Sequence, residues 1–264
     1  MLSKNKIKFI NSLKKKKNRT YYKLFLAEGE KIILELLASS MKLKELYGTE
    51  AFMNNVSKQK LSHVEKVETI NDTELKKISD LKTPNKVLAI VEIPKYQIDE
   101  NELKNSLSLV LDKINDPGNL GTIIRIADWF GINHVFCSED TVDVFNPKVI
   151  QSTMGSFARV NLVYCDLKDL LSSYQNTKYF GIYGSFLEGE SIYASPLTNK
   201  GFIIMGSESH GISKELEEFV NQRIYIPSFS QEESQESSES LNVSVATGII
   251  CSEFRRQNRE ASSS

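Results

Sequence analysis

From Ser106 onward the chain alternates short apolar runs with segments of helical period, and this alternation restricts its fold more than any other feature. Leu107 to Leu111 reads as a buried strand, Asn119 to Phe130 as a helix and Val135 to Cys137 as the next strand. Val160 to Tyr164, Tyr179 to Tyr183, Phe202 to Met205 and Ile224 to Ile226 continue the strand series. A final helix runs from about Leu241 to Arg256, with Ala246, Ile249, Ile250 and Phe254 as its packing face. Strands this apolar belong to sheets covered by helices on both faces, so the pattern predicts an α/β fold around a parallel sheet.

The first part reads as a separate small α/β unit. Lys4 to Leu13 is a basic helix with Ile7, Phe9, Ile10 and Leu13 as its apolar positions, and Tyr22 to Ala27 is a strand. Gly29 precedes a helix whose apolar face is Ile32, Ile33, Leu36 and Leu37. Asn71 to Glu74 is a helix-start signal, and Val87 to Val91 is rich in strand formers. A polar stretch that breaks periodicity follows, which divides the chain into residues 1–94, a linker at 95–106, a second domain at 107–258 and a tail at 259–264. Ser228 to Glu239 is nearly all Ser, Gln and Glu and reads as a solvated loop.

The 264 residues are 40% hydrophobic and 25% charged, the balance of a globular protein that sits in neither membrane nor disordered class. Formal net charge is −1, but Lys4, Lys6, Lys8, Lys14, Lys15, Lys16, Lys17, Arg19 and Lys23 crowd the start. Phosphate binding depends on such local patches, so a near-zero total leaves nucleic acid open as a partner. Cys137, Cys165 and Cys251 are too far apart for a zinc ribbon, and His63, His134 and His210 lack metal-ligand spacing, so no metal is expected. No apolar run reaches a membrane span and no signal-peptide core follows the basic start, so no membrane is expected and the cytoplasm is the default location.

Three polar-rich segments stand where strands give way to loops or helices, the usual ligand edge of an α/β sheet. The first runs from Asn115 to Ala127, where Pro117 and Gly118 turn the chain and Asn119 can cap the following helix. Its glycine spacing is not a dinucleotide fingerprint. Arg125 lies nearly two turns into an otherwise apolar helix, where a guanidinium needs either an ion-pair partner or a cleft. The second runs from Ile204 to Gly211; Gly206 and Gly211 allow close backbone approach or positive φ, and Glu208 is the one carboxylate in the turn. His210 reads as a loop histidine without an implied Ser, Cys or Asp partner. The third runs from Ser240 to Ala246, and Ser240 or Asn242 can cap the last helix. Taken singly, each motif also reads as an ordinary turn, cap or structural ion pair.

Together and in this order the three segments resemble the signature motifs of the SpoU/TrmH branch of the SPOUT methyltransferases, most closely the bacterial ribosomal RNA enzymes. Phe25 to Gly29 and its helix resemble the family's N-terminal substrate-binding domain, and Asn146 to Lys148 with Met154-Gly155 its segment after the second strand. The resemblance implies a catalytic domain whose parallel sheet carries a deep trefoil knot, S-adenosylmethionine as cofactor, and a homodimer whose two subunits line each active site. It implies transfer of a methyl group to a ribose 2′-hydroxyl of RNA, with large-subunit ribosomal RNA as the substrate. Residue by residue, Asn119, Arg125, Glu208, Ser240 and Asn242 match the catalytic positions, and Gly206, Ile226 and Leu241 match cofactor contacts. Arginine hardly ever loses its proton, so Arg125 is expected to orient the hydroxyl and steady its developing charge. Lys14, Lys15, Lys16, Lys17 and Arg19 are the candidate RNA contacts. The chain departs from the pattern at Ser209, where many relatives carry glycine, and in the long acidic loop after Pro227. Two other functions fit the same motifs: methylation of transfer RNA, and a non-catalytic RNA-binding scaffold of the same fold.

Overall fold

The structure is a computed structural model that describes residues 1–229 and 240–260. The acidic loop expected at Ser228 to Glu239 therefore lies outside the described residues from position 230, and the expected tail from position 261. The chain forms two compact units, Met1–Lys95 with Asp143–Arg159, and Tyr96–Val142 with Val160–Ser264.

The first unit holds a four-stranded sheet of β1 (Leu24–Glu28), β2 (Leu43–Gly48), β3 (Lys66–Thr69) and β4 (Val87–Glu92), in the order β1-β4-β2-β3. β4 runs antiparallel to both β1 and β2, and β3 runs parallel to β2. Ile10 and Leu13 of the N-terminal segment, Leu75 and Ile78 of the Asp72–Ile78 helix, and Leu26, Leu88 and Ile90 of the sheet share one core. The expected start of that helix is a full capping box between Asn71 and Glu74, and Glu74 also accepts from the Leu2 backbone at 2.6 Å. On the Glu30–Leu37 helix, Ile32, Ile33, Leu36 and Leu37 are buried as their spacing predicts.

Three segments differ from the sequence reading. Tyr22 does not begin a strand but ends a helix, Lys16–Tyr22, because Lys23 turns left-handed at φ 56° and the strand starts only at Leu24. Residues 143–159 group with the first unit instead of continuing the second. Phe145 and Phe157 bury their rings against Phe25, at centroid distances of 4.7 and 5.7 Å, and Arg159 pairs with Glu35. The stretch expected as a linker carries a short helix, Glu100–Lys104, capped by the Asp99 side chain and pinned by buried Leu103.

The second unit is a six-stranded sheet of β5 (Leu107–Leu111), β6 (His134–Cys137), β7 (Asn161–Tyr164), β8 (Gly181–Ser191), β9 (Gly201–Met205) and β10 (Gln222–Tyr225). Its order is β10-β8-β9-β5-β6-β7, and every pair is parallel. β5, β6 and β9 are buried along their whole length, as strands covered on both faces must be. Val110, Phe136, Ile182, Phe202 and Ile204 form the centre of a core completed by Leu171, Tyr174, Phe180 and Leu216. The Pro117–Trp129 helix and the last helix, Val243–Glu260, pack on each other; Arg255 reaches across to accept-only groups at the end of the former, donating to the carbonyls of Phe130 (2.7 Å) and Gly131 (2.9 Å). Because the strands are parallel, their carboxyl ends lie on one edge, and the loops after β5, β9 and β10 carry the three motifs.

Candidate active site

The loop after β5 enters the Pro117–Trp129 helix through Asp116, whose Oδ1 accepts from the Asn119 backbone N–H at 2.8 Å. Asp116 is thus the cap that the sequence reading gave to Asn119. The exchange matters, because it leaves the Asn119 side chain free for other partners. After β9, a turn from Gly206 to Gly211 is closed by two backbone hydrogen bonds between Ser207 and Gly211, at 3.1 and 2.9 Å. A Cβ on Gly206 would sit 2.1 Å from the Gly211 carbonyl carbon, so the tightness of the turn demands glycine there; Gly211 supplies the positive φ of 67°. Asp112, buried at the end of β5, accepts from the Ser213 N–H at 2.7 Å and ties the far end of this loop to the sheet. Sequence reasoning missed Asp112, although an acid directly following a five-residue apolar strand was the available signal.

The third motif caps the last helix with Asn242. Its Oδ1 accepts from the Ser244 N–H (3.0 Å), the Ser244 hydroxyl (2.6 Å) and the Val245 N–H (3.4 Å). Those donors fix which way the amide points. Its Nδ2 must then face the other way, and it donates to Asn119 Oδ1 at 3.0 Å. Asn119 in turn has only its Nδ2 left to give, and it donates to Glu208 Oε1. One residue from each motif is therefore linked in a single direction, from Ser244 through Asn242 and Asn119 to a carboxylate that can only accept.

The structure places the remaining candidates differently. Ser240 is exposed in the turn before the last helix, and the cap belongs to Asn242. Arg125 is exposed and forms no ion pair or hydrogen bond among the described residues, so the structural ion-pair reading has no support. It lies about 9 Å farther along the helix than Asn119 and about 120° around it, outside the amide–carboxylate chain. His210 does have a serine partner, contrary to expectation: Ser209 Oγ lies 2.7 Å from its Nδ1 on the exposed turn. The basic stretch divides sharply. Lys15, Lys16 and Lys17 are exposed, whereas Lys14 donates to the Ser79 carbonyl (2.9 Å) and pairs with Asp80 (3.4 Å). Arg19, expected to contact RNA, is buried at 3% exposure; it donates to Asp143 and to the carbonyls of Leu13 and Lys14. Its guanidinium is spent inside the protein, because the turn at 13–15 leaves carbonyls that only a long, many-donor side chain can satisfy.

Gly206 follows β9, Ile226 follows β10, and Leu241 precedes the last helix. Ile226 is half-buried and Leu241 is 49% exposed, so both present apolar surface to solvent. Half-open apolar side chains are the surface on which a flat organic base packs. Among the described residues no group of His, Cys, Asp and Glu is arranged to hold a metal, and no helix is long and apolar enough to cross a membrane.

Fold and site together define a parallel α/β domain that gathers polar residues from three loops at the carboxyl edge of its sheet. Residues 106–252 match the SpoU rRNA Methylase family, and residues 4–89 match the MRM3-like substrate binding domain. The chain is 29% identical over 258 residues to the 23S rRNA (guanosine(2553)-2'-O)-methyltransferase RlmP of Bacillus subtilis, covering 95% of this chain and 96% of that one. It is 34% identical over 194 residues to the 23S rRNA (guanosine-2'-O-)-methyltransferase RlmB of Blochmanniella floridana, covering 69% and 73%. Among solved structures, one from Porphyromonas gingivalis described as an RNA methyltransferase of the TrmH family is 38% identical, with TM-score 0.85 over 97% of this chain and 99% of that one. An AdoMet-bound rRNA methyltransferase from Sinorhizobium meliloti is 26% identical, with TM-score 0.82 over 97% and 96%. The chain belongs to the SpoU rRNA methylase family.

Proposed function

We propose that the protein transfers a methyl group from S-adenosylmethionine to a ribose 2′-hydroxyl of large-subunit ribosomal RNA, acting as a homodimer in the cytoplasm. The observation that carries this reading is the directed chain from Asn242 through Asn119 to Glu208, built from one residue of each motif. The relatives named as 23S rRNA 2′-O-methyltransferases support the substrate, and the AdoMet-bound neighbour supports the cofactor.

The cofactor supplies an electrophilic methyl group, and the apolar Ile226 and Leu241 with the main chain after Gly206 would hold it. Asn119 takes one Glu208 oxygen and leaves the other, Oε2, with no partner among the described residues. That oxygen can accept from the 2′-hydroxyl, aim it for displacement and take its proton as the hydroxyl oxygen becomes methylated. Arg125 keeps its proton and stabilises negative charge as it grows on the attacking oxygen. Because Arg125 stands apart from the Asn119 chain within one subunit, the site is complete only when a second copy brings its own arginine. The exposed Trp129 and Val245, on the two helices that carry the first and third motifs, supply apolar surface for that pairing. Lys15, Lys16 and Lys17 are the proposed phosphate contacts in the residues that match the substrate-binding domain.

The test is methyl transfer from labelled S-adenosylmethionine to unmodified total RNA. Label is expected on a ribose of the large ribosomal RNA, and Arg125→Ala should reduce the rate about a hundredfold or more, the effect of losing a charge-stabilising donor. Label confined to transfer RNA would replace the substrate, and absence of both label and cofactor binding would point to a scaffold.

A further inference from the structure

The N-terminal unit exposes two adjacent aromatic rings in its most basic segment. Tyr21 is 78% exposed and Tyr22 is 45% exposed, both at the end of the Lys16–Tyr22 helix. The two rings meet edge to face at 4.9 Å, and Tyr22 also meets Phe9 edge to face at 5.2 Å. Neither phenol hydroxyl has a partner among the described residues. Leaving this much ring surface in water forfeits burial that the fold does not use.

The charges around the pair are segregated. Lys6, Lys44, Lys66 and Lys86 are each matched by a glutamate. Lys15, Lys16, Lys17, Lys23 and Lys95 have no acidic partner among the described residues. Tyr22, Phe9, Lys23 and Lys95 line a cavity of about 830 Å³, whose other walls include Lys44 and Lys66 as well as Glu45, Glu65 and Glu92. The surface is also held rigid. Lys23, in its left-handed turn, donates to the Arg19 carbonyl and accepts from Ile93 N–H at 2.9 Å, while Arg19 is locked on Asp143.

We propose that Tyr21 and Tyr22 form a stacking platform for an unpaired nucleobase of single-stranded RNA, whose phosphates lie on Lys15, Lys16, Lys17 and Lys23. The proposal rests on the reading of this unit as RNA-binding and adds the state of the RNA it takes. Aromatic faces accept any base, and lysines beside them track the backbone. Base-paired RNA offers no free base face to a ring, so a duplex gains nothing from the tyrosines.

The experiment is fluorescence anisotropy on the full chain with a labelled, unstructured RNA of about twelve nucleotides, within the span that single-strand sites cover. The same strand with abasic riboses and a duplex of the same sequence are the comparison probes. Tyr21→Ala should weaken binding of the intact strand about 5- to 150-fold, the effect of one lost base–aromatic stack, and leave the abasic and duplex probes unaffected. Its salt dependence should stay as steep as that of the unaltered protein, and Tyr21→Phe should restore affinity. Joint alanine replacement of Lys15, Lys16 and Lys17 should instead flatten the salt dependence for every probe. Tyr21 is so exposed that its replacement leaves the fold intact, which a melting curve checks. If Tyr21→Ala binds like the unaltered protein while the lysine variant is weak, the platform is overturned and the RNA reading of the unit survives. If neither variant changes binding, or the intact protein does not bind the strand, both fall. Loss of binding to anionic phospholipid vesicles on Tyr21→Ala, with RNA binding unchanged, would assign the surface to membrane instead.

Discussion

At the scale of single residues, the site turns on which end of an amide points where. Asn242 serves two partners at once: its oxygen caps the last helix, and its nitrogen orients Asn119. The two roles can be separated by substitution. Asn242→Asp keeps an oxygen for the Ser244 and Val245 N–H groups and places charge at a helix N-terminus, where it is tolerated. It removes the donor to Asn119, which is then free to rotate and release Glu208. Asn242→Ala loses both. The expected outcome is that Asn242→Asp retains the melting temperature but lowers kcat about tenfold to a hundredfold, with KM for RNA little changed. Asn242→Ala should show the same loss of kcat and in addition about 1 kcal/mol lower stability by denaturant titration. Equal kcat in Asn242→Asp and the unaltered protein would remove Asn242 as a positioning residue.

At the scale of elements, the clearest correction is Arg19. It sits five residues from the start of a lysine run, and by type and neighbourhood it belongs with the phosphate contacts. Composition shows charge but not the direction a side chain takes, and the helix at Lys16–Tyr22 turns Arg19 inward onto Asp143, 124 residues away. The same limit explains the cap: Asp116 and Asn119 are both good capping residues, and only the geometry of the turn decides between them. The regular elements were legible because burial leaves a period behind, as in β5 and β9, whose apolar runs mark them almost to the residue. β2 and β3 passed unread because their charged residues break the alternation that marks a half-buried strand. The role of Arg19 is tested by Arg19→Ala, which strands the Asp143 carboxylate in a partly buried place. Stability should fall by about 3 kcal/mol in urea, the cost of breaking a buried ion pair from one side. The salt dependence of RNA binding should keep its slope, since a buried guanidinium displaces no counterion; a shallower slope would return Arg19 to the RNA surface.

At the scale of the whole molecule, the parallel sheet could be read from the series of apolar runs, but its strand order could not. The order β10-β8-β9-β5-β6-β7 places the last strand at an edge beside β8, and no local pattern encodes such a crossover. The same holds for the knot implied by the family resemblance, a property of the path and not of any segment. One whole-chain feature does follow from burial alone. All three cysteines lie in the second unit, and Cys137 and Cys251 are buried while Cys165 is partly covered. Burial raises all three thiols, Cys137 furthest, Cys251 to about 12 and Cys165 to about 11, with Asp166 adding to the last. A thiol near 11 is only about one part in a thousand thiolate at pH 8, against roughly a quarter for an unperturbed cysteine near 8.5. Because the thiolate is the reactive form, a disulfide reagent at pH 8 should label Cys165 slowly and the other two only in denaturant. The sign of the linkage is fixed as well. Between about pH 8.5 and 12 the unfolded chain has released thiol protons that the folded chain still holds, so this contribution to stability is complete below that range and declines as pH rises through it. A melting temperature that falls across that window, together with one slow and two silent thiols, is the expected result. Rapid labelling of Cys137 in the native protein would mean that the sheet opens far more readily than its fully buried strands imply, and rapid labelling of Cys251 that the last helix lifts from its packing.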